Sequence, residues 1–381
     1  MPIIRPKSFE FADYKTLCRR NKLNSFLKEF LEKNGYIEAE VNSLISEANI
    51  PNTAKKTDRY LGSYKLNDSD GSLLIIPDDI MLQLMMDMRL SADVSSRLFS
   101  IKNCYFFAEK GILRNLPQIG LMLFGEDNVA AEAEAVCIAL ALADALKLTD
   151  YLININDTRI LSGVAKVYNR QEIDKVTLKS LLSGEANSEM DHACVTMLSS
   201  ISGLKGKITD IKEIADKLDN KESINGLYNL LNLSELLEDY DCEKNVTYHT
   251  GYLGMSDYED GFVFNLIADN QLLLHGGRYL IKCENETMFG IGIKINYAAV
   301  FKAFFADKEE VGSSVFDVLV GTGSTNLSLI KTRKLKDTFL ESGIKVNVLY
   351  NKTMEELIAY SKKMGIESVI FVDNHGNIEY I

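Results

Sequence analysis

The sequence predicts an α+β fold, in which an antiparallel sheet carrying a helical insertion is followed by a small α/β domain. Apolar runs at 261–267 and 271–280 flank the turn letters Ala-Asp-Asn, a pattern typical of an antiparallel hairpin. From residue 315 onward, strand-like segments alternate with helix-like segments, which indicates a mainly parallel sheet. We therefore expect two domains and one insertion: residues 1–312, residues 313–381 and, inside the first, a helical insertion at about 171–241.

The first domain opens with an amphipathic helix. In the segment 14–36, apolar side chains recur at Leu23, Phe26 and Leu27, with the i, i+3, i+4 spacing of a helix packed on a core. Gly35 is the expected C-cap, because glycine adopts the left-handed conformation that ends many helices. The later elements expected before the insertion are strands at 36–45, 72–77, 97–111 and 115–126, with a turn near Gly111, and helices at 78–91 and 128–148.

The second domain begins after a strand at 288–295, a helix at 296–306 and a short charged boundary. Its turn at 321–326, Gly-Thr-Gly-Ser-Thr-Asn, has two interpretations. It cradles a phosphate at a helix N-terminus, or its hydroxyl and amide side chains cap the helix. Capping is favoured, because the motif is too short to specify phosphate.

Composition narrows the class of protein. Hydrophobic residues make up 46% of the 381 residues and charged residues 25%, so the chain can bury a sizeable core. The net charge of −12 opposes strong nonspecific binding to a phosphate backbone. Six scattered cysteines without a CxxC pair indicate reduced thiols in the cytoplasm, and the four histidines lack ligand spacing. We therefore expect no metal, no cofactor, no secretory signal and no membrane span.

Several segments, in order, resemble the histidyl-tRNA synthetase family. Segment 34–45 is similar to its motif 1, segment 114–136 to its motif 2 strand and helix, and segment 289–295 to its motif 3. Segments 257–267 and 272–279 together resemble its second histidine-recognition region, and the C-terminal domain resembles an anticodon-binding domain. The resemblance covers nearly the whole chain and implies a class II aminoacyl-tRNA synthetase-like sheet. It also implies a homodimer, since class II frames pair through motif 1.

The resemblance implies a synthetase-like site without its ATP clamp. A class II synthetase holds ATP with arginines, because guanidinium forks match phosphate oxygens. The positions of those arginines hold Cys104, Gly254 and Ile295 in this chain. Lys294 lies beside Ile295 but is expected to point to the other face of the strand. Losing one transition-state donor typically costs about a hundredfold in rate.

The resemblance also implies a vestigial amino-acid pocket that binds a ligand. Its residues, by match to the family, are Asp78, Gln118, Tyr258, Gly276, Gly277, Arg278 and Tyr279. Other positions of the pocket have changed, to Ile80, Met122 and Glu259. A polar group left unpaired there would be costly, so we expect a different ligand or none.

Several of these residues have a structural interpretation beside the ligand-binding one. Gly276 and Gly277 permit either close approach of a ligand or close strand packing. Arg278 binds either an anionic ligand or an acidic partner within the sheet edge. Structural roles are expected for three further side chains: a core position for Tyr279, a hydrogen bond for His275 and a solvated turn for Glu259.

A synthetase-like frame without synthetase chemistry resembles the regulatory subunits of ATP phosphoribosyltransferase. The resemblance implies a non-catalytic partner of the short-form catalytic subunit, needed for activity and histidine feedback at the first step of histidine biosynthesis. It implies a homodimer within a hetero-oligomer, with histidine as a candidate effector. Two alternatives stay open: a divergent histidyl-tRNA synthetase or synthetase-like ligase, and a tRNA-sensing module using a basic helix at 328–342. The acidic net charge argues against nucleic acid.

Overall fold

The structure of the protein is a computed structural model that describes residues 14–50, 63–87, 96–108, 112–169, 175–183, 192–256, 258–282, 287–306 and 316–381. These residues form two compact units. The first unit runs from Leu27 to Ala303, and the second joins the start of the first helix, up to Phe26, with Phe304–Ile381. The predicted boundary between 312 and 313 lies outside the described residues and stays a prediction. Within the described part of the chain, no helix is long and apolar enough to cross a membrane.

The first unit is built on a nine-stranded sheet. The strands of this unit are β1 (Ile37–Glu38), β2 (Ile45–Ser46), β3 (Lys65–Asn67), β4 (Leu73–Ile75), β5 (Ser96–Ala108), β6 (Ile112–Phe124), β7 (Tyr151–Asp157), β8 (Lys205–Gly206), β9 (Val246–His249), β10 (Glu259–Ala268), β11 (Gln271–Lys282) and β12 (Thr287–Ile295). The large sheet has the order β1-β5-β6-β12-β11-β10-β7-β9-β8, and β2-β4-β3 form a small one. In the large sheet, β1 runs parallel to β5 and β7 parallel to β9, whereas the other neighbours are antiparallel.

Helices cover both faces of the large sheet. In chain order, the helices described up to residue 304 are α1 (Tyr14–Lys33), α2 (Ile80–Asp87), α3 (Val129–Ala145), α4 (Arg159–Asn169), α5 (Lys175–Ser183), α6 (His192–Ser202), α7 (Ile208–Lys212), α8 (Lys221–Asp239) and α9 (Tyr297–Phe304). α2 packs on β5, β6 and β12, on a side that we call the front face, and α3 packs on β10, β11 and β12 from the back face. Gly120 and Gly292 face α2, where a Cβ on Gly120 would approach the Met81 sulfur to 2.8 Å. These glycines let the helix lie close to the strands.

The predicted hairpin is confirmed by β10 and β11. Asp269 and Asn270 form its turn, with φ angles of 49° and 58°. Both angles belong to a two-residue type I′ turn, which Asp and Asn adopt more readily than most residues. β5 and β6 also pair along their whole length, as predicted, while the turn expected near Gly111 lies outside the described residues.

The C-terminal end of α1 has the predicted glycine cap. Gly35 has a φ of 83° and its amide donates to the Glu32 carbonyl at 3.0 Å, while the Tyr36 amide donates to the Leu31 carbonyl at 3.0 Å. This is the Schellman pattern, so the predicted C-cap is confirmed.

β7 and α4, which lie between the predicted helix at 128–148 and the predicted insertion, were not predicted from the sequence. β7 pairs with β10 on one side and β9 on the other, so it is a central strand. Its asparagines interrupt the apolar signal of a buried strand. One of them, Asn154, is buried because its amide donates to the Asn265 side chain at 2.8 Å. The predicted insertion does contain helices, but α8 at its end packs on α3 and α4.

The second unit confirms the predicted alternation of strands and helices. It contains β13 (Val318–Thr322), α10 (Asn326–Glu341), β14 (Val346–Tyr350), α11 (Met354–Met364), β15 (Ser368–Val372) and β16 (Ile378–Tyr380). β14, β13 and β15 are parallel, and β16 adds an antiparallel edge. α10 and α11 pack on two separate apolar clusters of this sheet.

The turn at 321–326 is held by contacts within the second unit. The Thr325 hydroxyl accepts from the Ser328 amide at 3.2 Å and donates to the Asn374 carbonyl at 2.7 Å. The Ser324 amide donates to the Asn374 side chain at 2.8 Å. These contacts favour helix capping over phosphate binding.

Candidate ligand pocket

The residues predicted to line the pocket lie on two opposite faces of the sheet. Successive strand residues face opposite sides, so Arg278 and Tyr279 of β11 diverge. Tyr279 is fully buried on the front face, where a Cβ on Gly292 would lie 3.0 Å from its ring. Arg278 contacts Glu132 of α3 on the back face. The sheet therefore separates the Arg278 guanidinium from the predicted pocket residues on the front face.

Gln118 fixes the backbone that leads into α2. Its amide nitrogen donates to the Asp78 carbonyl at 3.0 Å, and its amide oxygen accepts from the Ile80 amide at 3.2 Å. The side chain thus holds both ends of the turn that carries Asp78. Gln118 therefore lies beside Asp78, and its amide group is already engaged by the backbone.

The front face beside α2 is apolar at the position matched to the motif 2 arginine. Cys104 is 1% exposed, and the Gln83 amide donates to its sulfur at 3.6 Å. Burial, with the nearby charge of Asp79, raises the pKa of Cys104 to about 12, so the thiol is neutral at physiological pH. Around it, Met81, Met122 and Tyr279 belong to one apolar cluster.

Lys294 points to the face opposite Ile295, as alternation along the strand predicts, and that face is the front one, which it shares with Cys104. Gly120 is its partner on β6 and faces α2, so Lys294 shares the front face while Ile295 turns to the back. The Lys294 ammonium pairs with the Asp79 carboxylate at 3.3 Å, and Asp79 also accepts from the Met81 amide at 2.8 Å. The lysine is thereby bound to the first turn of α2.

Glu259 is the centre of a buried polar cluster, so its predicted place in a solvated turn was wrong. Its side chain is 0% exposed. One carboxylate oxygen accepts from the Met255 and Ser256 amides at 2.7 and 2.9 Å. The same oxygen lies 3.2 Å from the Lys175 ammonium. The run of acidic residues around it gave a surface signal, and nothing local in the sequence showed that Lys175 would meet it.

The other oxygen of Glu259 faces two side chains of β11. His275 Nδ1 lies 3.3 Å away, and the Tyr279 hydroxyl donates to it at 3.4 Å. Burial acts to raise the pKa of Glu259, but the hydrogen bond from His275 and the charge of Lys175 outweigh it and leave the pKa lowered. The carboxylate is therefore ionised. The prediction of a hydrogen-bonded structural histidine at His275 is confirmed.

Gly276 and Gly277 are required by close packing of the strands. A Cβ on Gly276 would overlap the Gly292 carbonyl oxygen and lie 2.8 Å from the Phe264 ring. A Cβ on Gly277 would overlap the Phe262 carbonyl oxygen. Of the two interpretations of this glycine pair, these contacts favour close strand packing.

Arg278 belongs to a buried charged network behind the sheet. Its guanidinium pairs with Glu132, which is 0% exposed, and its Nε lies 3.0 Å from the Asp127 carboxylate. Glu132 also accepts from the Asn229 amide at 2.7 Å. Burial raises the pKa of Glu132 to about 7, against the opposing charge of Arg278. Of the two interpretations of Arg278, the contacts show the acidic partner.

Comparison with known proteins agrees with this architecture. The sequence profile described as histidyl-tRNA synthetase matches residues 9–296. The chain therefore belongs to the histidyl-tRNA synthetase family, and its fold is the mixed α/β class II synthetase architecture that the sequence predicts.

Relatives of two kinds match the chain. It is 24% identical over 340 residues to the histidine–tRNA ligase of Pyrococcus furiosus, covering 81% of this chain and 77% of that one. It is 22% identical over 340 residues to the ATP phosphoribosyltransferase regulatory subunit of Clostridium novyi, covering 82% and 78%. Such similar identities do not separate the two kinds.

Solved structures show the same fold. A Bacillus halodurans protein described as an ATP phosphoribosyltransferase regulatory subunit/histidyl-tRNA synthetase superposes with a TM-score of 0.79 at 17% identity, covering 98% of this chain and 99% of that one. The histidyl-tRNA synthetase of Nostoc sp. PCC 7120 superposes with a TM-score of 0.75 at 15% identity, covering 100% and 97%.

Proposed function

We propose that the chain is a non-catalytic regulatory subunit of ATP phosphoribosyltransferase. In this role it is required by the short-form catalytic subunit for activity and for histidine feedback at the first step of histidine biosynthesis. The observation that carries the proposal is the buried, neutral Cys104 at the position matched to an ATP-clamping arginine. The relatives named as regulatory subunits support it. We assign the protein to the cytoplasm on its scattered cysteines, which form no CxxC pair in the sequence.

The other two clamp positions have no room for a guanidinium directed at a nucleotide. Gly254 has a φ of 73°, and a Cβ there would overlap the Glu259 carboxylate. Ile295 is 2% exposed and faces the back of the sheet. Lys294, which does lie on the front face, is paired with Asp79. Together these substitutions remove the charge that a triphosphate needs.

The direct test mixes the purified chain with a short-form ATP phosphoribosyltransferase subunit. We expect a stable complex on gel filtration, a rise in phosphoribosyl transfer and inhibition by histidine. A histidyl-tRNA synthetase with its arginines intact is the control protein of the same fold, and it should produce none of these effects. A mixture that forms no complex and shows no change in activity contradicts the proposal.

The alternative is a divergent synthetase. The relatives named histidine–tRNA ligase support this alternative. Such an enzyme would catalyse histidine-dependent exchange of pyrophosphate into ATP. With Cys104, Gly254 and Ile295 in place of arginines, we expect exchange at least a hundredfold below that of the control synthetase. Exchange at a comparable rate would favour the enzyme.

The tRNA-sensing alternative has weaker support from the surface of α10. Arg333 pairs with Asp337 at 3.0 Å, and Lys331 donates to the Gly376 carbonyl at 2.8 Å. These contacts occupy two of the basic groups that phosphate binding would use. Salt-sensitive binding of uncharged tRNA to the chain would support the tRNA-sensing alternative.

A homodimer is part of the proposal. β1 lies at the edge of the large sheet, where Ile37 is 67% exposed, and Leu44 after it is 40% exposed. Beside them is a cavity of about 490 Å³ lined by Glu38, Ala39, Glu40, Val41, Ser43, Ser100, Ile101 and Lys102. An exposed apolar strand edge is a surface that a second chain can cover.

A further inference from the structure

We infer that Cys137 and Cys242 form a peroxide-sensitive thiol pair, which closes into a disulfide that joins the end of the helical insertion to α3. Both residues carry free thiols, and both are half-buried, so a small oxidant in solution can reach them. β7, α4 and the helical insertion separate them in the sequence, so no local pattern shows the pairing. The pair lies on the back-face side of the sheet, and its chemistry is independent of the proposed function.

The two thiols meet where α3 and α8 pack against each other. Cys137 lies in the middle of α3, and the Cys242 side chain hydrogen-bonds with it. Sulfur atoms in a hydrogen bond are farther apart than the roughly 2.05 Å of a disulfide, so the bond forms when the two sulfurs approach further. The contact therefore brings both partners of a disulfide together in the folded chain.

Cys242 is held in place by the end of α8. The Cys242 amide donates to the Leu237 carbonyl at 2.8 Å, and the Asp241 amide donates to the Glu238 carbonyl at 3.0 Å. Asp241 has a φ of 55°, in the left-handed region. These contacts are a Schellman motif, in which the residue after the left-handed one is fixed to the last turn of the helix. A disulfide at Cys242 therefore attaches α8 itself to α3.

The environment of Cys137 sets the order of the two reactions. Burial raises the pKa of the Cys137 thiol, and the hydrogen bond and charge of Cys242 raise it further. The thiolate is the form that attacks an oxidant, so Cys137 is the poorer nucleophile and Cys242 reacts first. The raised pKa also leaves Cys137 with a proton that the second reaction uses.

The chemistry removes two electrons from the thiol pair and consumes one molecule of peroxide. The Cys242 thiolate attacks one oxygen of hydrogen peroxide and the O–O bond breaks, which gives a sulfenic acid, while the other oxygen takes a proton and leaves as water. The Cys137 sulfur then attacks the Cys242 sulfur. The S–S bond forms, the S–O bond breaks, and the hydroxyl group leaves with the Cys137 proton as a second water.

The oxidised pair constrains a large part of the first unit. A disulfide between Cys137 and Cys242 encloses β7, α4 and the helical insertion in one loop, and closing a long loop stabilises a protein mainly by restricting its unfolded chain. The other cysteines among the described residues, Cys18, Cys104 and Cys194, are buried, so the reaction is selective among them. In a reducing compartment a disulfide of this kind is transient and reports oxidation.

The test treats the purified full chain with hydrogen peroxide, blocks the remaining thiols with iodoacetamide and maps the unreduced digest by mass spectrometry. We expect a peptide pair linked through Cys137 and Cys242, in a chain that keeps its monomeric mass on a non-reducing gel. Cys137→Ser should instead accumulate a sulfenic acid at Cys242, which dimedone traps, and Cys242→Ser should leave Cys137 unoxidised. Cys194→Ala removes a buried cysteine and is the matched control, which should link like the wild type.

A second readout measures stability. The oxidised wild type should melt about 5 °C or more above the reduced wild type, and dithiothreitol should remove the difference. Cys137→Ser and Cys242→Ser should show no such difference, whatever their own stability. A contact that is only structural would shift the melting temperature of the variants without making it depend on the oxidant.

The inference is overturned if peroxide leaves the wild type without a link between Cys137 and Cys242, or links other cysteines in its place. It is also overturned if Cys242 proceeds to sulfinic acid while Cys137 stays a thiol, or if the link forms without raising the melting temperature. These measurements use the chain alone, so their result does not depend on whether it binds a catalytic subunit.

Discussion

The guanidinium of Arg278 and the carboxylate of Glu132 form a salt bridge on the back face of the sheet, one residue along β11 from the front-face Tyr279. The Arg278 side chain is 16% exposed and that of Glu132 is 0% exposed. The arginine within the Gly-Gly-Arg-Tyr stretch therefore holds α3 to the sheet. In the described structure its partners are protein carboxylates.

Removal of this arginine should destabilise the fold. At pH 8, where Glu132 with a pKa of about 7 is mostly ionised, Arg278→Ala leaves this buried carboxylate without its cation, and loss of one partner of a buried pair typically costs about 3–5 kcal/mol. Urea unfolding followed by circular dichroism measures the change. Arg97→Ala is the matched control, because Arg97 pairs with Glu134 of the same helix but is 39% exposed. That pair should contribute about 1 kcal/mol or less, and equal losses in the two variants would contradict the assignment.

Glu132 should make stability fall as pH rises from about 4.5 to 7. Burial raises the folded-state pKa to about 7 from an ordinary value of 4.5, so in this window the folded chain holds more protons than the unfolded chain. Stability from this group is complete below the unfolded pKa and is lost as pH rises through the folded pKa. Glu132→Gln removes the titration and should flatten the unfolding free energy between pH 5 and 7. A slope equal to that of the wild type would show that another group is responsible.

Cys104 should resist alkylation in the folded protein. A thiol with a pKa of about 12 is ionised to about one part in ten thousand at pH 8, and the thiolate is the reactive form. Iodoacetamide labelling followed by peptide mass spectrometry should modify the half-buried Cys242 long before Cys104. Urea should abolish the difference. Rapid labelling of Cys104 without denaturant would contradict a buried, neutral thiol and weaken the case against an ATP site.

The sequence predicted the frame well because its signals are local. The hairpin of β10 and β11 followed from two apolar runs around Asp269 and Asn270, and the end of α1 followed from Gly35. Each of these depends on φ preferences and alternation within about ten residues. β7 was missed because its asparagines donate to partners on distant segments, Asn154 to the Asn265 side chain and Asn156 to the Thr250 and Tyr252 carbonyls, and no local pattern shows that pairing.

The site was harder to predict because its contacts join distant segments. Glu259 meets Lys175, which lies 84 positions earlier, and Arg278 meets Glu132, which lies 146 positions earlier. A family match names the positions but not the partners that new residues acquire. Lys294 shows the same limit. Alternation along β12 correctly placed Lys294 and Ile295 on opposite faces, but it did not show that Cys104 lies on the same face as Lys294.

The exposed strand edge should control the oligomeric state. Ile37 is 67% exposed on β1 at the edge of the large sheet, in the segment that resembles motif 1. In Ile37→Lys, a dimer covering this edge would bury a charge without a partner, which costs several kcal/mol. We expect light scattering after gel filtration to give the mass of a dimer for the wild type and of a monomer for the variant. Tyr380→Lys, at a 78% exposed position of the second unit, should remain dimeric. A wild-type monomer, or a variant that stays dimeric with an unchanged dissociation constant, would remove β1 from the interface.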